Sequence, residues 1–229
     1  MKFYGFQKMT MLDFPGRVAC IVFTGGCNFR CPFCHNSLLV TDIGNQTYDE
    51  EEILEYLNKR KGILDGICVS GGEPLLQVGL DSFLEKVKNM GVSVKIDTNG
   101  SFPSRLKTLV LKGLVDYVAM DIKNSKEKYP ITTDCKNLDI SKIEESVDFL
   151  LSGAVDYEFR TTVVNEFHKP QDIVAIGKWI QGAKKYFLQN FVDSGNLIGD
   201  GLSAVSLDKL KEFAEIAKPY VEKIALRGV

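Results

Sequence analysis

The sequence predicts an α/β fold, an open, partial (β/α)6 TIM-type barrel with parallel strands. Short, β-branched apolar runs alternate with stretches of helical periodicity along most of the chain, the pattern of a parallel sheet with crossover helices. Each strand–helix unit takes roughly 25 to 45 residues, so six units fit, whereas a closed eight-unit barrel typically needs about 250 residues. The chain has 229 residues, and the first 17 precede the alternation. Distinctive polar residues and glycines also fall just after strand after strand, where a β/α barrel carries its working groups. A flat doubly wound sheet is the structural alternative.

The elements follow in order. VACIVFT (18–24) is apolar and β-branched and stops at Gly25-Gly26, so it reads as a buried strand. Thr47 with Glu50 has the spacing of a capping box and opens a helix to about Lys61. GICVS (66–70) is the next strand, ended by Gly71-Gly72, and Leu80, Phe83, Leu84 and Val87 recur at helical spacing. VSVKID (92–97) is a strand stopped by Asn99-Gly100, followed by a short helix after Pro103 that carries Leu106, Leu109 and Val110. VDYVAMDI (115–122) is a strand, and Ile143, Val147, Leu150 and Leu151 mark a helix. Residues 157–164 form a strand, Pro170 opens a helix over about 171–181, and 185–188 form a short strand. Leu207, Leu210, Phe213, Ala214 and Ala217 mark the last helix, with VEKIAL (221–226) a candidate final strand. The segment 126–137 carries no clear pattern and reads as a loop near the open face. With no repeat, low-complexity stretch or clean linker, the chain reads as one domain over 1–229, with 1–17 an N-terminal extension before the first barrel strand.

Composition narrows the function classes. With 45% hydrophobic and 25% charged residues and a net charge of −2, the chain has a globular composition and no basic excess for nucleic acid or an anionic membrane. No apolar run approaches the ~18 residues that span a bilayer, and the N-terminus has no signal-peptide pattern. Cytoplasm is therefore the expected compartment, where six cysteines are a poor disulfide framework. Cys20, Cys68 and Cys135 are scattered and read as small buried hydrophobes.

Cys27, Cys31 and Cys34 are different. They lie within GGCNFRCPFCHN (25–36), on a loop after a strand, where three thiolates can converge on one metal centre. Thiolates serve zinc and iron–sulfur clusters alike. Structural zinc wants a fourth ligand, yet the chain has two histidines, His35 and His168, and His35 abuts Cys34. A three-thiolate site fits a four-iron cluster with one iron left open. A zinc loop or a set of redox thiols is the bland alternative.

This CxxxCxxC followed by His-Asn resembles the signature of the radical S-adenosylmethionine superfamily. The resemblance implies that Cys27, Cys31 and Cys34 hold a [4Fe–4S] cluster whose open iron chelates the amine and carboxylate of S-adenosylmethionine. An electron from the reduced cluster then cleaves the sulfonium to methionine and a 5′-deoxyadenosyl radical, which abstracts hydrogen from a substrate. Ser70-Gly71-Gly72-Glu73-Pro74 is similar to the family segment that binds the methionine amine. That likeness assigns Gly71 and Gly72 to close backbone approach and Glu73 to the ammonium; taken alone, GGEP is as easily a turn before a helix. Asp97-Thr98-Asn99-Gly100 and Asp121-Ile122-Lys123 look like segments of glycyl-radical-enzyme activases, although each has a plainer reading as a capped turn and an ion pair. The likeness implies a monovalent cation held by Asp97, Thr98 and Asp121, with Lys123 facing the cosubstrate. Arg160, in an otherwise apolar strand, needs a partner, and the family reading gives it the cosubstrate ribose or carboxylate. Asn36, beside the cluster loop, joins the cosubstrate set. Gln189 and Asn190 are candidates for the adenine, where the pyruvate formate-lyase activases carry a histidine and this chain does not. Phe33, between the second and third cysteines, is placed against adenine or simply packs the loop.

Two further features resemble the activases of glycyl radical enzymes, most of all the group that activates anaerobic ribonucleoside-triphosphate reductase. Thr10 to Arg17 reads TMLDFPGR, like the Asp-x-Pro-Gly segment before their cluster loop, and the chain shows no second cysteine cluster. The resemblance implies a glycyl radical enzyme as protein substrate and a flavodoxin or ferredoxin as electron donor, with no nucleic acid and no membrane. A small-molecule enzyme of the 7-carboxy-7-deazaguanine synthase type and a non-catalytic iron–sulfur protein are the alternatives.

Overall fold

The computed structural model describes residues 1–44 and 47–228. The N-terminal segment already contributes structure, with β1 (Lys2–Phe3) and β2 (Gly5–Thr10), before β3 (Ala19–Thr24) begins the alternation. Then come α1 (Leu38–Thr41), β4 (Tyr48–Asp49), α2 (Glu50–Lys59), β5 (Gly66–Gly71), α3 (Leu80–Asn89), β6 (Ser93–Thr98), α4 (Pro103–Leu111) and β7 (Tyr117–Asp121). The second half has α5 (Tyr129–Thr133), α6 (Ile140–Leu151), β8 (Asp156–Val163), α7 (Pro170–Trp179), β9 (Tyr186–Asn190), α8 (Leu207–Ala217) and β10 (Ile224–Arg227).

The main sheet has eight strands in the order β10-β9-β8-β7-β6-β5-β3-β2. All neighbours from β3 to β10 are parallel. Among the described residues β10 and β2 do not pair, so the barrel is partial and open, as the spacing predicts. The expected extension before the barrel needs correction: β2 pairs antiparallel with β3 and forms the sheet edge. The predicted capping box also fails. Tyr48 and Asp49 pair with Phe3 and Lys2, so the helix starts at Glu50. The Glu50 carboxylate meets the Met1 amino group at 2.9 Å and Lys86 at 2.6 Å instead of the backbone near Thr47. The unpatterned segment 126–137 holds the short helix α5.

Strand alternation divides the core. Val94, Ile96, Val118, Met120, Tyr157, Phe159 and Leu188 face the helices and pack with Leu84, Leu106, Val147, Ile173 and Phe213. Burying each such side chain stabilises the fold by about 1.5–3 kcal/mol. The opposite, inner face carries a small apolar floor of Ala19, Ile21, Cys68 and Tyr117, closed by Phe14 from the Asp-Phe-Pro-Gly turn. Gly66 leaves room for that ring, since a Cβ there would meet Phe14 at 2.7 Å. Beyond this floor the inner residues turn polar, because period-two alternation carries Ser70, Asp97, Asp121, Arg160, Thr162 and Gln189 onto one wall.

Candidate active site

That wall bounds a cavity of about 560 Å³, lined also by Cys27, Cys31, Cys34, Phe33, Asn36, Gly71, Gly72, Thr98 and Lys123. The cysteine loop is fixed by its neighbours. Arg30 donates its backbone N–H to Thr133 O of α5 at 2.9 Å, and its guanidinium donates to Cys27 O at 2.6 Å and Phe29 O at 3.0 Å. Asn99 donates to Asn28 Oδ1 at 2.9 Å and to Cys27 Sγ at 3.7 Å. Burial pushes the Cys27 thiol up to about 11 and the Cys31 thiol up to about 12, the latter opposed by the Lys123 ammonium. Without metal the thiols hold their protons at neutral pH, and ligation must displace them.

The Gly71-Gly72 turn approaches backbone rather than open space. A Cβ on Gly71, at φ +116°, would meet Thr24 N at 2.3 Å, and one on Gly72 would meet Gly26 O at 1.9 Å. Glu73 N donates to Gly26 O at 2.8 Å, and Asn36 Nδ2 donates to Gly71 O at 3.1 Å. The two loops that flank the cavity are thus clamped to one another. Glu73, the expected partner of the ammonium, is engaged by protein donors in this structure. Its carboxylate is fully buried and accepts from Leu75 N at 3.0 Å, Thr98 Oγ1 at 2.8 Å and Asn99 N at 2.8 Å, and it does not line the cavity. Burial pushes its pKa up to about 7 against the pull of those donors. Glu73 ties the Gly-Gly turn to the Asp97–Gly100 turn.

Charge is concentrated beside the thiols. Asp121 meets Arg160 Nε at 2.9 Å and Lys123 Nζ at 2.9 Å; Asp97 meets Arg160 Nη1 at 3.5 Å, Ser70 Oγ at 3.0 Å and the Lys95 ammonium. Burial opposes ionisation of both carboxyls, but Arg160 with Lys123 or Lys95 outweighs it and holds them below the usual carboxylate range. Arg160 therefore has the partners that its place in an apolar strand demanded. Phe33 is buried and packs on Phe167, ring centroids 5.7 Å apart, while still touching the cavity. Of the two adenine candidates, Gln189 lines the cavity, whereas the Asn190 amide exchanges hydrogen bonds with Val205 and pins the following loop. Sequence reasoning missed Lys95, Ser70 and Asn99, and also a second ion pair that ends on the cavity. There Arg227 makes a two-pronged contact with buried Glu158, at 2.7 and 3.0 Å, and stacks 3.7 Å from the Phe187 ring centre.

A polynuclear centre takes one thiolate per iron, so three thiols ringing one cavity suit it. The profile of the radical SAM superfamily matches residues 21–175, which contain the three cysteines and the cavity residues from Cys27 to Thr162.

The chain belongs to the radical SAM superfamily.

Radical SAM enzymes use a [4Fe–4S] cluster and S-adenosylmethionine, and the residues present fit both. Cys27, Cys31 and Cys34 bring three thiols to one cavity, the donor type that an iron–sulfur cluster takes. The wall from Gly71 to Gln189 offers backbone, carboxylate and guanidinium groups to an amino-acid head and a nucleoside. The chain is 31% identical to a Methanocaldococcus jannaschii protein named as a glycyl-radical enzyme activating enzyme, over 98% of this chain and 95% of that one. It is 32% identical to the pyruvate formate-lyase-activating enzyme of Clostridium pasteurianum, over 54% of this chain and 52% of that one. In fold it resembles Streptococcus suis SuiB bound to S-adenosylmethionine, with a TM-score of 0.69 and 12% identity, covering 91% of this chain and about half (52%) of that chain. This radical SAM protein is thereby related to the activating enzymes of glycyl radical enzymes. No helix among the described residues is long and apolar enough to cross a membrane.

Proposed function

We propose that this chain activates a partner glycyl radical enzyme by removing a hydrogen atom from the Cα of one glycine, and that the partner is an anaerobic ribonucleoside-triphosphate reductase. The observation that carries the reading is the reach of the cavity. It runs to Leu12 and Asp13 beyond β2 at one sheet edge and to Arg227 of β10 and the following Gly228 at the other. Between these unpaired edges the barrel is open at the side, where an extended polypeptide loop can enter. The relation to a named activating enzyme over 98% of the chain supports it.

The cluster and its cosubstrate, when bound, supply a 5′-deoxyadenosyl radical, and the protein's own part is to bind, orient and exclude water. The clamp between the Gly71-Gly72 turn and Thr24–Gly26 fixes the distance from the thiols to the cavity wall. Lys123 and Arg160 offer positive charge to a carboxylate, and Phe33 and Phe29 shield the thiol side. A glycine suits the chemistry because both flanking peptide groups delocalise a Cα radical and no side chain blocks approach. A flavodoxin or ferredoxin is the proposed electron donor.

The test is anaerobic mixing of the loaded, reduced protein with a candidate reductase and S-adenosylmethionine. A glycyl doublet by electron paramagnetic resonance is expected, collapsing to a singlet when the reductase is grown on 2-deuterated glycine. A reductase that stays silent while 5′-deoxyadenosine accumulates at full rate would overturn the assignment of partner.

A further inference from the structure

The resemblance implies a monovalent cation at Asp97, Thr98 and Asp121, and the geometry does not fit one. Each carboxylate oxygen that would hold it already has a donor. Asp97 Oδ1 takes the Lys95 ammonium, and Asp97 Oδ2 takes Ser70 Oγ at 3.0 Å and Arg160 at 3.5 Å. Asp121 Oδ1 takes Arg160 Nε and Oδ2 takes Lys123 Nζ, both at 2.9 Å. Thr98 Oγ1 faces the other way, donating to Glu73 and accepting from Gly100 N at 3.1 Å. Two carboxylates therefore meet three cationic side chains, and a further cation would compete with an ammonium or guanidinium for the carboxylate oxygens.

Lys95 is the residue that makes the difference. It projects from β6 on the same inner face as Asp97, two residues earlier, between Cys68 and Tyr117 in register. It is 1% exposed, so its ammonium has no solvent to fall back on. An ammonium in so dry a place persists only when paired and hydrogen-bonded, and Asp97 is the carboxylate that pairs with it. Lys95 lies behind the cavity lining while Asp97 and Asp121 face the cavity, so it acts from beneath the carboxylates, where it cannot block a ligand.

We propose that this chain needs no monovalent cation for cosubstrate binding, because Lys95 is a built-in cation that holds Asp97 in place. This rests on the cavity being the S-adenosylmethionine site and is independent of which protein is the substrate.

The test measures S-adenosylmethionine binding to the anaerobically loaded protein by equilibrium dialysis, in potassium, sodium or choline chloride at equal ionic strength. The wild type should bind with the same Kd, within twofold, in all three salts. Lys95→Met should lose at least about tenfold in choline, an effect of the size of 1.4 kcal/mol, and recover in potassium or sodium. Line broadening of ²³Na by the variant but not by the wild type should report the new site without any turnover. Wild-type binding that weakens fivefold or more in choline would overturn the proposal, and this arm needs no variant to fold. A folded Lys95→Met protein that binds like wild type in choline would overturn it too. No binding in any salt would instead remove the cosubstrate site on which it rests.

Discussion

Cys31→Ala is expected to abolish 5′-deoxyadenosine formation while leaving the fold in place. Cys31 is the deepest of the three thiols, 7% exposed, between Phe29 and Phe33 in the wall of the cavity. Two remaining thiolates cannot hold a cluster that takes three from the protein, and no other cysteine is placed to substitute. Cys20 and Cys68 are fully buried within β3 and β5, and Cys135 packs behind the short helix α5. Loss of one sulfur atom from the core should cost about 1 kcal/mol, which leaves the protein folded. Anaerobic reconstitution followed by iron and sulfide analysis, circular dichroism and the deoxyadenosine assay separates the two effects. The expected result is a native far-ultraviolet spectrum, little bound cluster and no product, whereas Cys135→Ala should load and turn over normally. Product from Cys31→Ala at a wild-type rate would contradict the assignment of the cluster ligands.

Gly72→Ala should be among the most damaging single-methyl additions in the chain. The new Cβ would lie 1.9 Å from Gly26 O and 2.6 Å from Gly26 C, both backbone atoms at the root of the cysteine loop. No flexible side chain can yield, so the clamp formed by Glu73 N on Gly26 O must open. Overpacking against backbone costs about 1–3 kcal/mol, which for a chain of this length lowers Tm by roughly 2–12 °C. The loop displacement should also move the thiols relative to the cavity wall, so cosubstrate binding should suffer more than cluster loading. Gly79→Ala is strained by its φ of +83° but meets nothing within 4 Å, so it should cost less stability and leave binding unchanged. Differential scanning calorimetry with dialysis on the same samples checks both parts.

Much of this was legible in the chain itself, and the gaps have physical causes. The parallel strands show as short apolar runs because both faces of a parallel sheet are covered. VSVKID even reveals its two sides: Val94 and Ile96 face the helices, while Lys95 and Asp97 face inward. What the pattern of one strand cannot reveal is register between strands. Arg160 reaches Asp97 and Asp121 only because β8 lies beside β7 in register. Glu158 and Arg227 meet although they lie on β8 and β10, with β9 between them. The Gly71-Gly72 pair announces a close approach, but that the approach is to the backbone of Thr24–Gly26 is a property of the fold. The capping box failed for the same reason. Thr47 and Glu50 have the right spacing, yet the distant Lys2–Phe3 strand draws Tyr48 and Asp49 into pairing and Lys86 draws off the Glu50 carboxylate. Glu73 and Asn190 are visible as polar residues at strand ends, but the loops that they tie are set by the fold.

Deuterium transfer tests the central claim most directly. The loaded, reduced protein would be mixed with S-adenosylmethionine and a candidate reductase whose glycines carry deuterium at Cα, and the nucleoside product analysed by mass spectrometry. The account predicts 5′-deoxyadenosine heavier by one deuterium, in proportion to the glycyl radical formed, and none from the Cys31→Ala protein. Unlabelled 5′-deoxyadenosine formed alongside a radical-free reductase would contradict it and point to a different hydrogen donor in the cavity.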